Sequence, residues 1–358
     1  MPVRYIQVNP KSELFVGATR AFGNIAIVGQ TDNAATAAVN VPTVFTDPDS
    51  ARAPFAGNVA RAVALAFRQS PGPTTIYAVR VAAANPDWDA ALEEVAKLDV
   101  QIVLLANTPL NAYNAATVGK LAAHVGSVSN TGGDGKERIA VAMLAKDATD
   151  PAIVAGTLVH ERMYYVAHRA DEDAAAAVAG VIAGYEPHVS MLLKPVNVNM
   201  IETFTDGQID AFDGAKINWL TDPVLFPGRG LFLGEGYAAP ADPTKVYIDV
   251  VRTLDDVSFR LKAALIRAIG NFRVDRAGLR ALQTLARAVL SPLEAQGVIE
   301  SFTVHIPLLS LLDRDPASLT ADEIAHINGV QATRRIDMAT MVEYAGAIHR
   351  LRIDLVFK

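Results

Sequence analysis

The chain's most suggestive spacing is His160-Glu161-Arg162-Met163-Tyr164, which starts as a zinc-protease helix starts, with an imidazole followed at once by a carboxylate. Such a helix needs a second imidazole one turn on, so that both rings reach one metal from the same face. Tyr164 holds that position, and the ligand set is incomplete. The loop Gly132-Gly133-Asp134-Gly135-Lys136 lacks the glycine spacing of a phosphate cradle and the hydroxyl that would ligate magnesium. Gly228-Arg229-Gly230 is followed by Gly234, one residue late for a dinucleotide fingerprint, and no G-x-S-x-G elbow occurs. Cysteine is absent, which removes disulfides, thiolate metal sites and cysteine nucleophiles. The seven histidines, His124, His160, His168, His188, His305, His326 and His349, are scattered instead of spaced as ligands. The expectation is a protein with no catalytic, metal or cofactor site.

What remains is charge. The chain carries 32 Lys and Arg against 38 Asp and Glu, a net −6, without the basic excess of a nucleic-acid binder. Between Arg252 and Arg287, however, eight basic residues face three acidic ones, a local +5. At 100° per residue, Arg276, Arg280, Gln283 and Arg287 lie within about 60° of one another on a helix. Arg260 and Arg267, seven apart, share a face in the same way. Taken alone, this is a solvated basic helix surface.

The elements that must position these residues follow from composition and periodicity. In 358 residues, 51% are apolar and 20% charged, enough for two or three domains or one large one. Aromatics are only 7% and alanine is abundant, which favours close-packed helices over a large aromatic cavity. The amino terminus lacks a signal peptide's apolar core, and no run of 18 apolar residues exists; a soluble product of the cytoplasm is expected. Residues 3–8 alternate as a short strand. Strands are then expected at 25–28, 76–81, 101–105, 138–144, 163–167 and 190–193. Helices are expected between them at 59–68, 88–97, 113–125, 151–158 and 172–184. This alternation predicts a largely parallel sheet.

Beyond the Gly/Pro-rich stretch from Pro227 to Pro243 the pattern changes. Residues 245–251 read as a strand, and Asp255 and Asp256 as the acidic start of a helix reaching about 269. Asp275 reads as the N-cap of a helix over 276–296, stopped by Gly297. A strand over 298–306 follows, then an acidic, turn-rich insertion over 313–329, and two closing strands, 335–341 and 349–357. In the last of these Leu351, Ile353, Leu355 and Phe357 fall on one face. A strand at a chain end pairs either within its own sheet or with a neighbour's edge.

The serial order of several segments resembles one family. Gly23-Asn24-Ile25-Ala26-Ile27-Val28-Gly29, Pro42-Thr43-Val44-Phe45 and Thr75-Ile76-Tyr77-Ala78-Val79-Arg80-Val81 are similar to the opening of contractile tail sheath proteins, of phages and of contractile injection systems. Trp88 to Leu98 followed by Asp99-Val100-Gln101-Ile102-Val103-Leu104-Leu105-Ala106 resembles their next helix and strand. Phe226-Pro227-Gly228-Arg229-Gly230 resembles the opening of their carboxy-terminal domain. Val246-Tyr247-Ile248-Asp249-Val250-Val251-Arg252-Thr253-Leu254 and Leu293-Glu294-Ala295-Gln296-Gly297-Val298-Ile299-Glu300-Ser301-Phe302 resemble two of that domain's joins. Where sheaths commonly carry W-G-A-R-T-L, this chain reads Leu233-Gly234-Glu235-Gly236-Tyr237-Ala238-Ala239. The chain is short for the family, which implies a slim subunit.

The resemblance implies an α/β and α+β fold: a parallel-rich α/β middle domain plus a C-terminal α+β sheath domain completed by N- and C-terminal strands. It divides the chain into an arm (1–20), a middle domain (21–225), a sheath core facing the tube (226–345) and a second arm (346–358). It implies hexameric rings stacked around an inner tail tube protein, with baseplate and tail terminator proteins as further partners and neither nucleic acid nor membrane insertion. The working place implied is the virion tail or injection particle, assembled in the host cytoplasm. Arg4, Tyr5, Ile6, Gln7 and Val8 at one end, with Leu351, Arg352, Ile353, Asp354, Leu355, Val356 and Phe357 at the other, become strand arms that pair across subunits. Arg260, Arg267, Arg276, Arg280 and Arg287 become candidate contacts to an acidic tube. Two other readings stand beside this one: a different self-assembling tail or shell protein, and an α/β ligand-binding or enzyme domain.

Overall fold

The computed structural model describes residues 20–31, 35–130, 135–200, 202–223, 225, 230–239 and 246–350. The chain divides into two compact units: a larger one of Ala21–Asp256 with the chain from Gly346, and a smaller one of Val257–Ala345 with the chain up to Arg20. The expected strand over 3–8, and residues 351–357 of the closing strand, lie outside the described residues; His349 and Arg350 have no regular structure.

In the larger unit the elements are β1 (Ile25–Gln30), β2 (Thr43–Phe45), α1 (Arg52–Phe55), α2 (Gly57–Phe67), β3 (Ile76–Val81), α3 (Trp88–Ala96), β4 (Ile102–Leu105), α4 (Ala115–Ser129), β5 (Ile139–Met143), β6 (Met163–Ala167), α5 (Ala174–Gly184), β7 (Pro195–Val196), α6 (Asp206–Gly214), β8 (Asn218–Thr221) and β9 (Leu231–Leu233). The sheet order is β2-β3-β1-β4-β5-β6-β8-β9-β7. From β3 to β8 neighbouring strands are parallel, and antiparallel pairs close both margins.

Helices cover both faces of this sheet, so its central strands are continuously apolar: every residue of β4 and β5 is buried. The two-residue period persists inside them. Ile25 and Ile27 join the core formed with α2 and α5, whereas Ala26 and Val28 join the core formed with α3 and α4. The alanine content has its use in α5, where Ala174 through Ala183 are all buried. A Cβ on Gly180 would stand 2.5 Å from the Ala66 carbonyl oxygen, so α2 and α5 meet at a distance only small residues permit. Asp87 and Asp173 cap α3 and α5 by accepting from the backbone N–H groups of Ala90 and Ala176.

Three expectations change in this unit. Residues 190–193 form a turn, with Leu193 at φ 56°, and the strand follows as β7. Residues 151–158 form two short 3-10 turns, separated where Gly156 takes φ 60°. The strand expected over 245–251 is not formed by its described residues, 246–251: helix α7 (Ile248–Leu265) begins there, because Ile248 and Val251 close the core beside α5, and burial overrides β-branched preference. Asp249, not Asp255 or Asp256, is therefore the first-turn acid. The units divide at 256/257 instead of 225/226, since Leu233, Ala238, Ile248 and Val251 all complete the larger unit's core.

The smaller unit contains the rest of α7, α8 (Arg276–Ala295), β10 (Ile299–His305), α9 (Pro307–Leu312), α10 (Ala321–Thr333) and β11 (Ala339–Tyr344). Asp275 caps α8 by accepting from Gly278 N–H at 2.7 Å, and Gly297 follows at φ 72°, as its sequence signals require. The stretch expected to be a turn-rich insertion is largely helix α10, opened by a reciprocal capping box of Thr320 and Glu323. Val257, Ala286, Leu290, Leu293, Ile299 and Val304 form one core; Leu279, Ile306, Leu308, Leu309 and Ile327 form a second.

Candidate assembly surfaces

β10 and β11 pair antiparallel from Ile299↔Tyr344 to His305↔Ala339, with an irregularity between Ile299 and Ser301. Among the described residues this sheet has two strands. β10 buries Ile299 and Val304 against α8, whereas no residue of β11 is buried and Met341 is 67% exposed. A two-stranded ribbon is marginal in water unless another strand or a packed face supports it. Among the described residues α8 supports β10, while β11 keeps Met341 exposed.

The basic residues are placed unequally. Arg276 Nε and Arg280 Nη2 converge on Asp313 Oδ1 at 3.2 and 3.0 Å, at the end of α9, and Arg276 also donates to the Leu312 carbonyl. Gln283, on the same face, donates to the Val304 carbonyl at 2.9 Å. That face is thus partly spent inside the unit. Arg287 is exposed further along α8. Arg260 is half-buried on α7, and Arg267 lies beyond the helix end at Leu265, so the two do not share one helix face as expected. Around Arg267 the apolar residues Ile266, Ile269 and Phe272 are exposed. Arg252 is buried in the larger unit, donates to the Tyr185 carbonyl at 2.8 Å, and is pushed down to about 10 by burial.

The residues of chemical promise are held for structural ends. His160 lies in a bridge and turn, not a helix, and its Nδ1 accepts from Arg162 N–H at 3.1 Å. Arg162 forms a buried bidentate pair with Asp255, at 2.6 and 2.9 Å, which is why an acid stands in mid-helix there. Tyr164 donates to the Glu235 carbonyl. His168 is buried with Nε2 3.1 Å from the Leu144 carbonyl, and burial holds its pKa below the usual histidine range. His124 is lowered to about 4 by burial and by Arg138, whose guanidinium donates to the Val95 and Leu98 carbonyls at the end of α3. Gly234 makes room for a ring, since a Cβ there would meet Trp219 at 2.2 Å. Among the described residues no group of three or more His, Cys, Asp or Glu is placed to hold a metal. A cleft of about 740 Å³ lies beside Arg68, Gln69 and Asn197, where Arg68 pairs with Glu172 at 2.7 Å and Gln69 bonds the Asn197 backbone.

A cluster that sequence reasoning missed joins residues from distant segments. His349 meets Glu235 and Ser190, and Arg350 meets Asp213 and Tyr237. Nothing in the spacing of positions 190, 213, 235 and 349 announces it.

No sequence-family profile and no curated protein matches the chain. Solved structures do. The fold is shared over the full chain, at a TM-score of 0.66 and 18% identity, with 99% of a chain from the helical sheath of the anti-feeding prophage in its contracted state. A chain of the contracted sheath complex of the PVC extracellular contractile injection system matches equally fully, at 0.70 and 12% identity. The sheath tail protein of Desulfitobacterium hafniense matches 84% of this chain and 92% of its own, at 0.59 and 13% identity. The protein therefore has the fold of contractile-sheath proteins, mixed α/β with a parallel-rich sheet and a small antiparallel one. None of the described helices is long and apolar enough to cross a membrane.

Proposed function

We propose that this chain is the sheath subunit of a contractile tail or injection machine, polymerising as stacked hexameric rings around an inner tube. The observation that carries the reading is the end-to-end likeness to sheath chains at both full coverages. The β10–β11 ribbon, two-stranded among the described residues, supports it, because so small a sheet is suited to extension by strand addition. In this reading residues 4–8 and 351–357 are the arms that extend neighbouring ribbons, and main-chain hydrogen bonds hold the wall while rigid units repack on contraction. The extended wall is metastable, and new interfaces formed on contraction supply the work without nucleotide.

Arg267 and Arg287, exposed, are the stronger tube contacts in this scheme; Arg276 and Arg280 share their charge with Asp313, and Arg260 is half-buried. Such contacts are individually weak and salt-screened, which suits a surface that must release. Baseplate and terminator proteins complete the partner set, and the particle's tail is the place of work. The test is negative-stain microscopy of the full chain and of a chain lacking residues 351–358. The full chain is expected to form striated tubes, and the truncated chain to remain as folded discrete particles. Tubes of normal length from the truncation would overturn the arm assignment, and an unassembled full chain would overturn the sheath reading.

A further inference from the structure

After β11 the chain runs exposed through residues 345–348, with Ile348 82% exposed. At His349 this changes abruptly: its side chain is 8% exposed and fills a socket in the larger unit. Nδ1 lies 2.8 Å from Glu235 Oε2, and Nε2 lies 2.9 Å from Ser190 Oγ. The Tyr247 ring flanks the imidazole at 4.3 Å between centroids, and Tyr247 stacks on Tyr237 at 5.4 Å. Lys216 covers the Tyr237 ring. Arg350 then reaches Asp213 Oδ1 at 2.6 Å and the Tyr237 hydroxyl at 3.2 Å, with Glu235 Oε1 at 3.9 Å. Burial pushes the Asp213 carboxyl up, but hydrogen bonds from Arg350 and Tyr237 outweigh it and hold the group below the usual carboxylate range.

Both ring nitrogens are used, and a carboxylate only 5% exposed receives its donor from a residue on an otherwise solvated link. Leaving Glu235 without that donor is costly, so the contact favours one placement of the link. We infer that His349 and Arg350 are a two-residue clamp that fixes the root of residues 351–358 to the larger unit of its own chain. Its use rests on the sheath reading above. Tension on an arm paired with a neighbour passes through Glu235, next to β9, and Asp213, in α6, into the nine-stranded sheet, bypassing the exposed ribbon.

The clamp is read by trypsin cleavage after Arg350 in the full-length subunit, followed by mass spectrometry. Cleavage is expected to be slow in the natural chain and about tenfold faster in His349→Ala and in Asp213→Asn, because proteolysis follows the population of the opened segment. The midpoint of thermal unfolding, measured alongside, is expected to move little and separates local release from general unfolding. Equal cleavage rates in all three proteins would overturn the clamp. The serine–imidazole–carboxylate order also matches a nucleophilic relay. Labelling of Ser190 by a fluorophosphonate, lost in His349→Ala, would overturn the docking role; no labelling supports it. Tube formation by the 351–358 deletion would fail the arm assignment while leaving the cleavage result standing, so the two ideas are separable.

Discussion

β5 of the larger unit buries all five of its residues, whereas β11 of the smaller unit buries none of its six. The first strand lies between parallel neighbours with helices on both faces; the second has, among the described residues, β10 as its strand partner. The contrast teaches where each kind of free energy is kept. The larger unit keeps most of its strand surface between its own helices. The smaller unit has, among its described residues, a two-stranded sheet with exposed apolar area at Met341 and Val342 that a docking partner would cover.

Substitutions that break the closed unit should have the largest effects on the isolated chain. Arg162→Ala removes the bidentate partner of Asp255 within a buried pair and is expected to cost about 3–5 kcal/mol, read from the urea midpoint. Replacing both, as Arg162→Met with Asp255→Leu, should restore most of the loss; no recovery would place the cost elsewhere than in the stranded charge.

Acid supplies the next effect. His124 is held neutral with a pKa of about 4 in the folded chain, against an ordinary value of 6.5. The unfolded chain takes up this proton first as pH falls, so the contribution of His124 to stability is constant above 6.5 and declines by about 3 kcal/mol towards pH 4. Unfolding measured across that window should show a shallower slope in His124→Gln, and an unchanged slope would remove His124 from the account.

Gly180→Ala forces a methyl onto the Ala66 carbonyl and is expected to cost about 1–3 kcal/mol, since α2 and α5 have no slack to give. Smallest is Met341→Thr in β11. On an exposed strand it should alter the subunit's stability by less than about 0.5 kcal/mol, yet sharply reduce tube formation in the microscope. An effect on stability as large as that of Gly180→Ala would erase the distinction between the closed unit and the open one.

Much of this architecture is legible in contiguous residues. The apolar runs at 102–105 and 139–143 mark fully covered parallel strands, and Asp275 with Gly297 brackets α8 almost to the residue. These signals are local: each depends on hydrogen bonds or burial repeated along one short segment. Where tertiary packing opposed local preference the reading failed, as at 246–251, where β-branched residues open a helix because the core accepts Ile248 and Val251. The candidate surfaces divide in the same way. Basic residues recur visibly along α8, but their sequestration by Asp313 depends on the return of α9.

By itself, then, the sequence determined the composition of the layers, the parallel character of the main sheet and the absence of any recognisable catalytic motif, because periodicity and spacing are properties of neighbouring residues. Only the tertiary structure decided that Asp255 answers Arg162, that β11 pairs with β10, and that His349 finds Glu235 and Ser190. Each of those contacts joins segments far apart along the chain, and a contact of that kind exists only once folding has closed the loops between them.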